Sequence, residues 1–246
     1  MTDFTPLDVA AFVWFVLAWL GFGFFVDKVR VAGPSLSQLM DRERRAWIEV
    51  LLRRDNRIVD SAIMSSLQNG TAFFASTSMI ALGASFTLLN QTDRLLEIFR
   101  ELPFHVEASR AVLETKIVGL VGIYGYAFFK FGWSYRLFNY SAILIGAVPP
   151  AAERDTPQSW AAARRAAEMQ IDAGHHFHWG LRSLFFSIGW FGWFVNAWVF
   201  LCSGTLILVV LARRQYLSRA RAALLDIGAE PDQGPGKTAV DRPSSR

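Results

Sequence analysis

One cysteine in 246 residues leaves no pair for an intrachain disulfide and excludes a CxxC redox or zinc site. Histidine is almost as scarce, at four residues, and none falls in an HExxH or ExxH spacing. No GxSxG elbow, P-loop glycine pattern or nucleic-acid-binding motif of the usual kinds occurs. The opening MTDFTPLD contains no Lys or Arg, and no small-x-small site follows the first apolar run, which argues against a cleavable signal peptide. Acids are missing from the middle of every long apolar run, where a proton relay or cation path would need one. Nucleophilic hydrolysis, dithiol exchange, nucleotide binding and ion pumping therefore lack their usual residues.

What the chain has in abundance is apolar and aromatic side chains: 52% hydrophobic residues, with 21 Phe and 9 Trp. Mean hydropathy is only mildly positive, so these residues are gathered into blocks separated by polar segments. About 20 mainly apolar residues suffice for a helix to cross a bilayer. Four stretches meet that length: residues 7–26, 61–89, a third from 111 to 133, and 181–212. In the third, helical character extends without proline to 148, giving one long helix whose end projects from the membrane, with Gly132 as a bend. Residues 35–60 carry an amphipathic pattern, expected on the membrane surface or against the projecting third helix. Residues 158–180 form a second, alanine-rich helix outside the membrane, led by Thr156-Pro157. The fold class is all-α: a single membrane domain over 1–229, built as a four-helix bundle with extramembrane helices and a long third helix. The tail over 230–246 lacks apolar clusters and is expected to be disordered.

The net charge of +4 arises from arginines flanking the spans, which suits anionic headgroups and membrane lipids as partners rather than nucleic acid. Four crossings would put both termini on one side. The first and third connections carry Arg42, Arg44, Arg45, Arg53, Arg54, Arg57, Arg164 and Arg165, which points to both termini outside. Arg213, Arg214, Arg219 and Arg221 after the last span pull the other way.

The segments RDNRIVDSAIMSSLQNGTAFFASTSMIALGA, FGWSYRLFNYSAILIGAVP and GLRSLFFSIGWFGWFVNAW, in this order and spacing, resemble the bacterial integral membrane family called domain of unknown function 599. The resemblance covers roughly residues 8–215 and implies a multi-span helical protein of the bacterial inner membrane. It carries over no catalytic residue.

Stripes of small or hydrogen-bonding residues run along three spans: Ser65, Asn69, Ser76 and Gly83; Gly119, Gly122 and Gly125; and Gly189, Gly192 and Asn196. Such stripes let helix backbones approach closely, so these ten residues are the expected packing positions. A polar path around Asn69, Tyr126 and Asn196 is the alternative, that of a transporter or small-ligand carrier. Glu114, Lys116 and Lys130 stand close enough to the ends of their span to reach headgroups or snorkel. Trp190, Phe194 and Trp198 recur at four-residue intervals, as lipid-facing or packing aromatics.

Three of the four histidines, His175, His176 and His178, fall within four positions, just before Trp179, Gly180 and the last span. On a helix Asp172 reaches both His175 and His176, so these three form the one candidate metal set. The remaining histidine, His105, belongs to the other side of the membrane. The preferred expectation is a solvated helix end, with Trp179 and Arg182 at the headgroups and Gly180 easing the turn into the span. No cofactor is implied. The function expected is that of a non-enzymatic accessory protein, scaffold or assembly factor, working with a protein partner or a second copy of itself.

Overall fold

The structure, a computed structural model, describes residues 4–28, 33–101 and 109–226; His105, Arg30 and the tail from Glu230 lie outside them. The described residues form eight α-helices: α1 (Pro6–Lys28), α2 (Leu36–Leu51), α3 (Ile58–Asn90), α4 (Thr92–Glu101), α5 (Arg110–Gly146), α6 (Pro157–Trp190), α7 (Ala197–Tyr216) and α8 (Arg219–Asp226). α1, α3, α5 and the stretch from Ala197 are long and apolar enough to cross a membrane.

Local chemistry sets the starts. Ser35 opens α2 with a capping box, its Oγ accepting from Gln38 N while Gln38 Oε1 accepts from Ser35 N. Ser109 caps α5, Thr156 caps α6 with Pro157 in the first turn, and Asn196 caps α7 by accepting from Val199 N at 2.8 Å. Each such cap contributes about 1 kcal/mol by satisfying an orphan N–H. α5 is the expected long third helix, about 55 Å at 1.5 Å per residue, and it runs unbroken past Gly132.

The region read as one span over 181–212 is two helices. α6 runs without interruption from the alanine-rich segment through the histidines to Trp190, so Gly180 lies inside a helix and not at a turn. There is no Cβ at Gly180 because the Phe131 ring lies where one would stand, 2.9 Å away. A 3-10 turn over Phe191–Phe194 and an extended Asn196 then reverse the chain. α7 packs back along α6, with Gly189 against Gly204 and Ser203 Oγ donating to Gly189 O at 2.6 Å.

Contacts fix the directions. Trp193 meets Asp8, Phe15 meets Phe200, and Gln215 meets Ser37, so α1 and α7 run parallel. Lys116 meets Trp193, Phe131 meets Phe177, and Ser141 meets Ala166, so α5 and α6 run antiparallel. The start of α1 and the end of α7 therefore lie at opposite ends of the bundle. The reversal divides the apolar stretch 181–212 between the end of α6 and α7, which a hydropathy window cannot resolve.

The far end of α1 lies level with Tyr126 of α5 and Arg182 of α6. Beyond it the second half of α5, the first half of α6 and the first half of α3 continue together as a stalk, tied by Gln68 to Asn139 and by Phe74 to Phe131. α2 packs along this stalk against α6, burying Leu39, Ile48 and Leu51, and contributing the last two to a cluster with Phe138, Ala163 and Ala166.

Candidate functional site

The helix reversal gathers the least expected residues. Lys116 is only 6% exposed, and its Nζ donates to Trp193 O at 2.7 Å while standing 5.6 Å from the Trp193 ring centroid. Its side chain turns into the protein rather than away from it. The 3-10 turn frees carbonyls from the helical ladder, and buried backbone carbonyls need donors from elsewhere in the protein. Lys116 and Ser203 supply those donors. Trp190 Nε1 donates back to Lys116 O at 2.9 Å, and Trp193 Nε1 donates to Asp8 Oδ1 at 2.8 Å. Trp190 and Trp193 are 3% and 4% exposed and stack among Phe12, Phe15 and Phe200, so they are core rather than lipid-facing. An apolar cleft of about 370 Å³ opens beside them, lined by Phe4, Asp8, Phe12, Gly119 and the two tryptophans.

The histidines diverge. Successive helical side chains point about 100° apart, so His175 and His176 serve different neighbours. His175 Nε2 lies 2.8 Å from Asp41 Oδ2 on α2, and Arg44 donates to the other oxygen of the same carboxylate at 3.0 Å. Gly174 allows this docking, since the Arg44 guanidinium lies 2.7 Å from where a Cβ would stand. Burial lowers the Arg44 pKa, and Asp41 opposes that shift. His176 turns to Trp133 and Trp179, with Asp172 at 4.0 Å. Burial foremost, and then the Lys130 charge, lower the His176 pKa. Asp172, His175 and His176 thus do not converge, and no group of three His, Cys, Asp or Glu among the described residues is arranged to hold a metal.

The stalk adds a second buried carboxylate that residue types alone did not single out. Asp60 is 0% exposed and accepts from Trp47 Nε1 at 2.7 Å and Arg54 Nη1 at 3.0 Å. Arg57 donates to Ile145, Val148 and Pro149 carbonyls and so closes the end of α5. Arg45 and Glu168 pair across α2 and α6, both about half exposed, so the pair contributes little to stability.

The expected packing residues separate into three groups. Gly119, Gly189 and Gly192 are true close approaches, against Trp190, Gly204 and Ser203. Gly122 and Gly125 face open space. Ser65, Asn69, Ser76 and Gly83 are exposed; α3 instead buries Met64, Thr71, Ser78 and Ser85, at seven-residue spacing, against α5. The carrier set also disperses. Asn69 faces outward and Asn196 is an exposed helix cap, while Tyr126 sits beside Trp19. Finally, Arg182 is 6% exposed and lies over Phe22. With Trp19, Tyr126 and Trp179 it lines a second cleft, of about 300 Å³.

Long apolar helices, an inward-facing lysine and a reversal satisfied within the protein define a helical membrane protein. The chain belongs to the family described as protein of unknown function, DUF599, whose profile matches residues 10–220, from α1 into α8. No curated protein and no solved structure matches it.

Proposed function

We propose that this chain is a multi-pass protein of the bacterial inner membrane that acts by contact, as a non-enzymatic scaffold or assembly component. The observation that carries the reading is α3. It packs almost wholly on α5, leaving the Ser65, Asn69, Ser76 and Gly83 face uncovered. Small and amide side chains gain nothing from lipid but allow close approach and hydrogen bonding to another helix. The carrier reading lacks comparable support, since Asn69, Tyr126 and Asn196 share no cavity.

The parallel course of α1 and α7 supports one orientation. Arg213, Arg214, Arg219 and Arg221 then join Arg42, Arg44, Arg45, Arg53 and the other stalk arginines at one end, and the conflict within the positive-inside pattern disappears. The stalk end is cytoplasmic and the start of α1 is outside. In a Cys202→Ser background, Ser76→Cys in native membranes is expected to crosslink to a second polypeptide through a bismaleimide. A strictly monomeric protein with no crosslinked product refutes the contact reading. Impermeant maleimide is expected to reach Thr5→Cys but not Ser218→Cys from outside the cell; labelling of both from one side refutes the orientation.

A further inference from the structure

The cleft beside the helix reversal offers hydrogen-bond acceptors and no free donor. α1 and α5 scarcely touch one another, and Trp190 of α6 floors the gap between their first halves. The Trp190 ring reaches across Gly119, standing where a Cβ on that residue would be. Val9 and Val118 form the rim and are 56% and 53% exposed, so the entrance lies between the two helices on the face that meets lipid. At about 370 Å³ the space falls within the range of small-molecule sites built between the helices of bundles.

Each side-chain donor on the lining is already committed. Trp190 Nε1 donates to Lys116 O, Trp193 Nε1 to Asp8 Oδ1, and Thr115 Oγ1 to Ala111 O at 2.8 Å. The acceptors are not exhausted. A carboxylate presents about four lone-pair sites. Asp8 Oδ1 accepts from Trp193 alone, while Oδ2 accepts from both Thr5 N and Thr5 Oγ1. Oδ1 therefore keeps one site, and the Thr115 hydroxyl oxygen keeps its lone pairs. The charge of Asp8 is offset by that of the buried Lys116 nearby, so the cleft asks for no counter-ion. Polarity also runs along the helix axes. Asp8 and Thr115 each stand one turn nearer the helix starts than Phe12 and Gly119, which places acceptors at the end and apolar surface deeper.

We propose that this cleft binds one molecule of a neutral, lipid-soluble alcohol, its hydroxyl donating to Asp8 Oδ1 and its apolar body lying against Phe12, Val118 and Trp190. A hydroxyl given to a carboxylate is a charge-assisted hydrogen bond, the stronger kind. Ketones, esters and quinones bring only acceptors to a lining that itself offers acceptors. An anion would meet the Asp8 carboxylate, and a plain hydrocarbon chain would leave it unused. The inference does not depend on the contact reading, since a protein without any partner would still carry the cleft.

The test titrates the full-length, detergent-solubilised protein and counts bound molecules by native mass spectrometry. The probes are dioctanoylglycerol and dodecanol, each beside its acetate ester, in which the hydroxyl is capped, and dioctanoyl-phosphatidic acid as the anion. At least one alcohol is expected to saturate at one molecule per chain, and the tighter of the two distinguishes a glyceride from a simple alcohol as the source of the hydroxyl. Capping that hydroxyl is expected to weaken binding about tenfold or more, in line with loss of a hydrogen bond to a charged acceptor. Val118→Trp, on the exposed rim, is expected to fill the entrance and remove saturable binding while the protein melts as before. If that variant does not fold, Val9→Trp on the opposite rim takes its place. Asp8→Asn keeps an amide oxygen for Trp193 Nε1 and is expected to narrow the gap between alcohol and acetate. Failure of both alcohols to saturate, equal binding of alcohol and acetate, tighter binding of phosphatidic acid, or undiminished binding in the rim variant overturns the site. An unchanged gap in Asp8→Asn overturns the assignment of the hydroxyl to Asp8.

Discussion

Gly119→Ala is the sharpest test of how the bundle is held together. An added Cβ would lie 2.6 Å from Cη2 and 2.8 Å from Cε2 of Trp190, with Cζ2 closer still. Ordinary contact begins near 3.4 Å, so the ring would have to withdraw by roughly 1 Å in a core packed at crystal density. Trp190 is held on its packed sides by Phe12, Phe15, Trp193 and Phe200, with centroids 5.0–6.0 Å away, and its Nε1 is committed to Lys116 O, so moving the ring toward the neighbouring cleft would break these contacts. Overpacking costs about 1–3 kcal/mol, and straining the buried hydrogen bond adds about 1–3. Replacing glycine within a helix returns about 1 kcal/mol, so a net loss of about 2–4 kcal/mol is expected. Taking about 2–4 °C per kcal/mol for a chain of this size, the melting temperature in detergent should fall by about 5–15 °C. Gly122→Ala, three residues on and facing open space, is the internal control and should be neutral or slightly stabilising. Adding Trp190→Phe to Gly119→Ala should show favourable coupling of about 1–3 kcal/mol in a double-mutant cycle. Equal melting of the Gly119→Ala and Gly122→Ala proteins would refute the argument that this close approach organises the core.

Three further outcomes are expected. Lys116→Met leaves the Trp193 carbonyl without its donor and should destabilise by about 1–3 kcal/mol in thermal melts, whereas a headgroup-facing lysine would tolerate the change. Asp60→Ala strands the Trp47 indole N–H and removes the partner of Arg54; it should cost about 2–4 kcal/mol, measured by thermal melts or by protease nicking between α2 and α3, and a change below 0.5 kcal/mol would contradict the buried network. Burial holds the His176 pKa below the ordinary imidazole value of 6.5, so its neutral form is the one the fold favours. Its contribution is fully present above pH 6.5 and is lost as pH falls through the lower folded value. Melting temperatures measured from pH 8 to 5 should therefore fall less on the acid side in His176→Phe than in the unaltered protein; identical slopes would count against burial as the cause.

The spans, the stalk helices and the caps were legible because each is written within its own segment. A run of 20 apolar residues, a Ser or Thr followed by Pro, and an alanine-rich stretch need no partner to be recognised. The break at Phe191–Asn196 was partly legible: Gly189 and Gly192 precede an Asn that can cap, but hydropathy does not drop there, so the two helices read as one. The packing stripe on α3 was misplaced because Ser, Asn and Gly fit an interface and an exposed face equally well. The face α3 does bury, Met64, Thr71, Ser78 and Ser85, lies on a different side of the same helix.

Sequence alone determined that this is a helical membrane protein, since the length and continuity of an apolar run depend on no other part of the chain. It also determined the absence of dithiol and standard hydrolase motifs, and it carried enough ordered resemblance to identify the family. Only the tertiary structure decided that Lys116 and Arg182 turn inward, that the histidines serve different neighbours, and that α7 returns alongside α1. Those outcomes depend on which side chain from a distant segment meets a freed carbonyl or an open ring face. A buried charge is stable only where such partners converge, and convergence is a property of the packed chain and not of any one stretch of it.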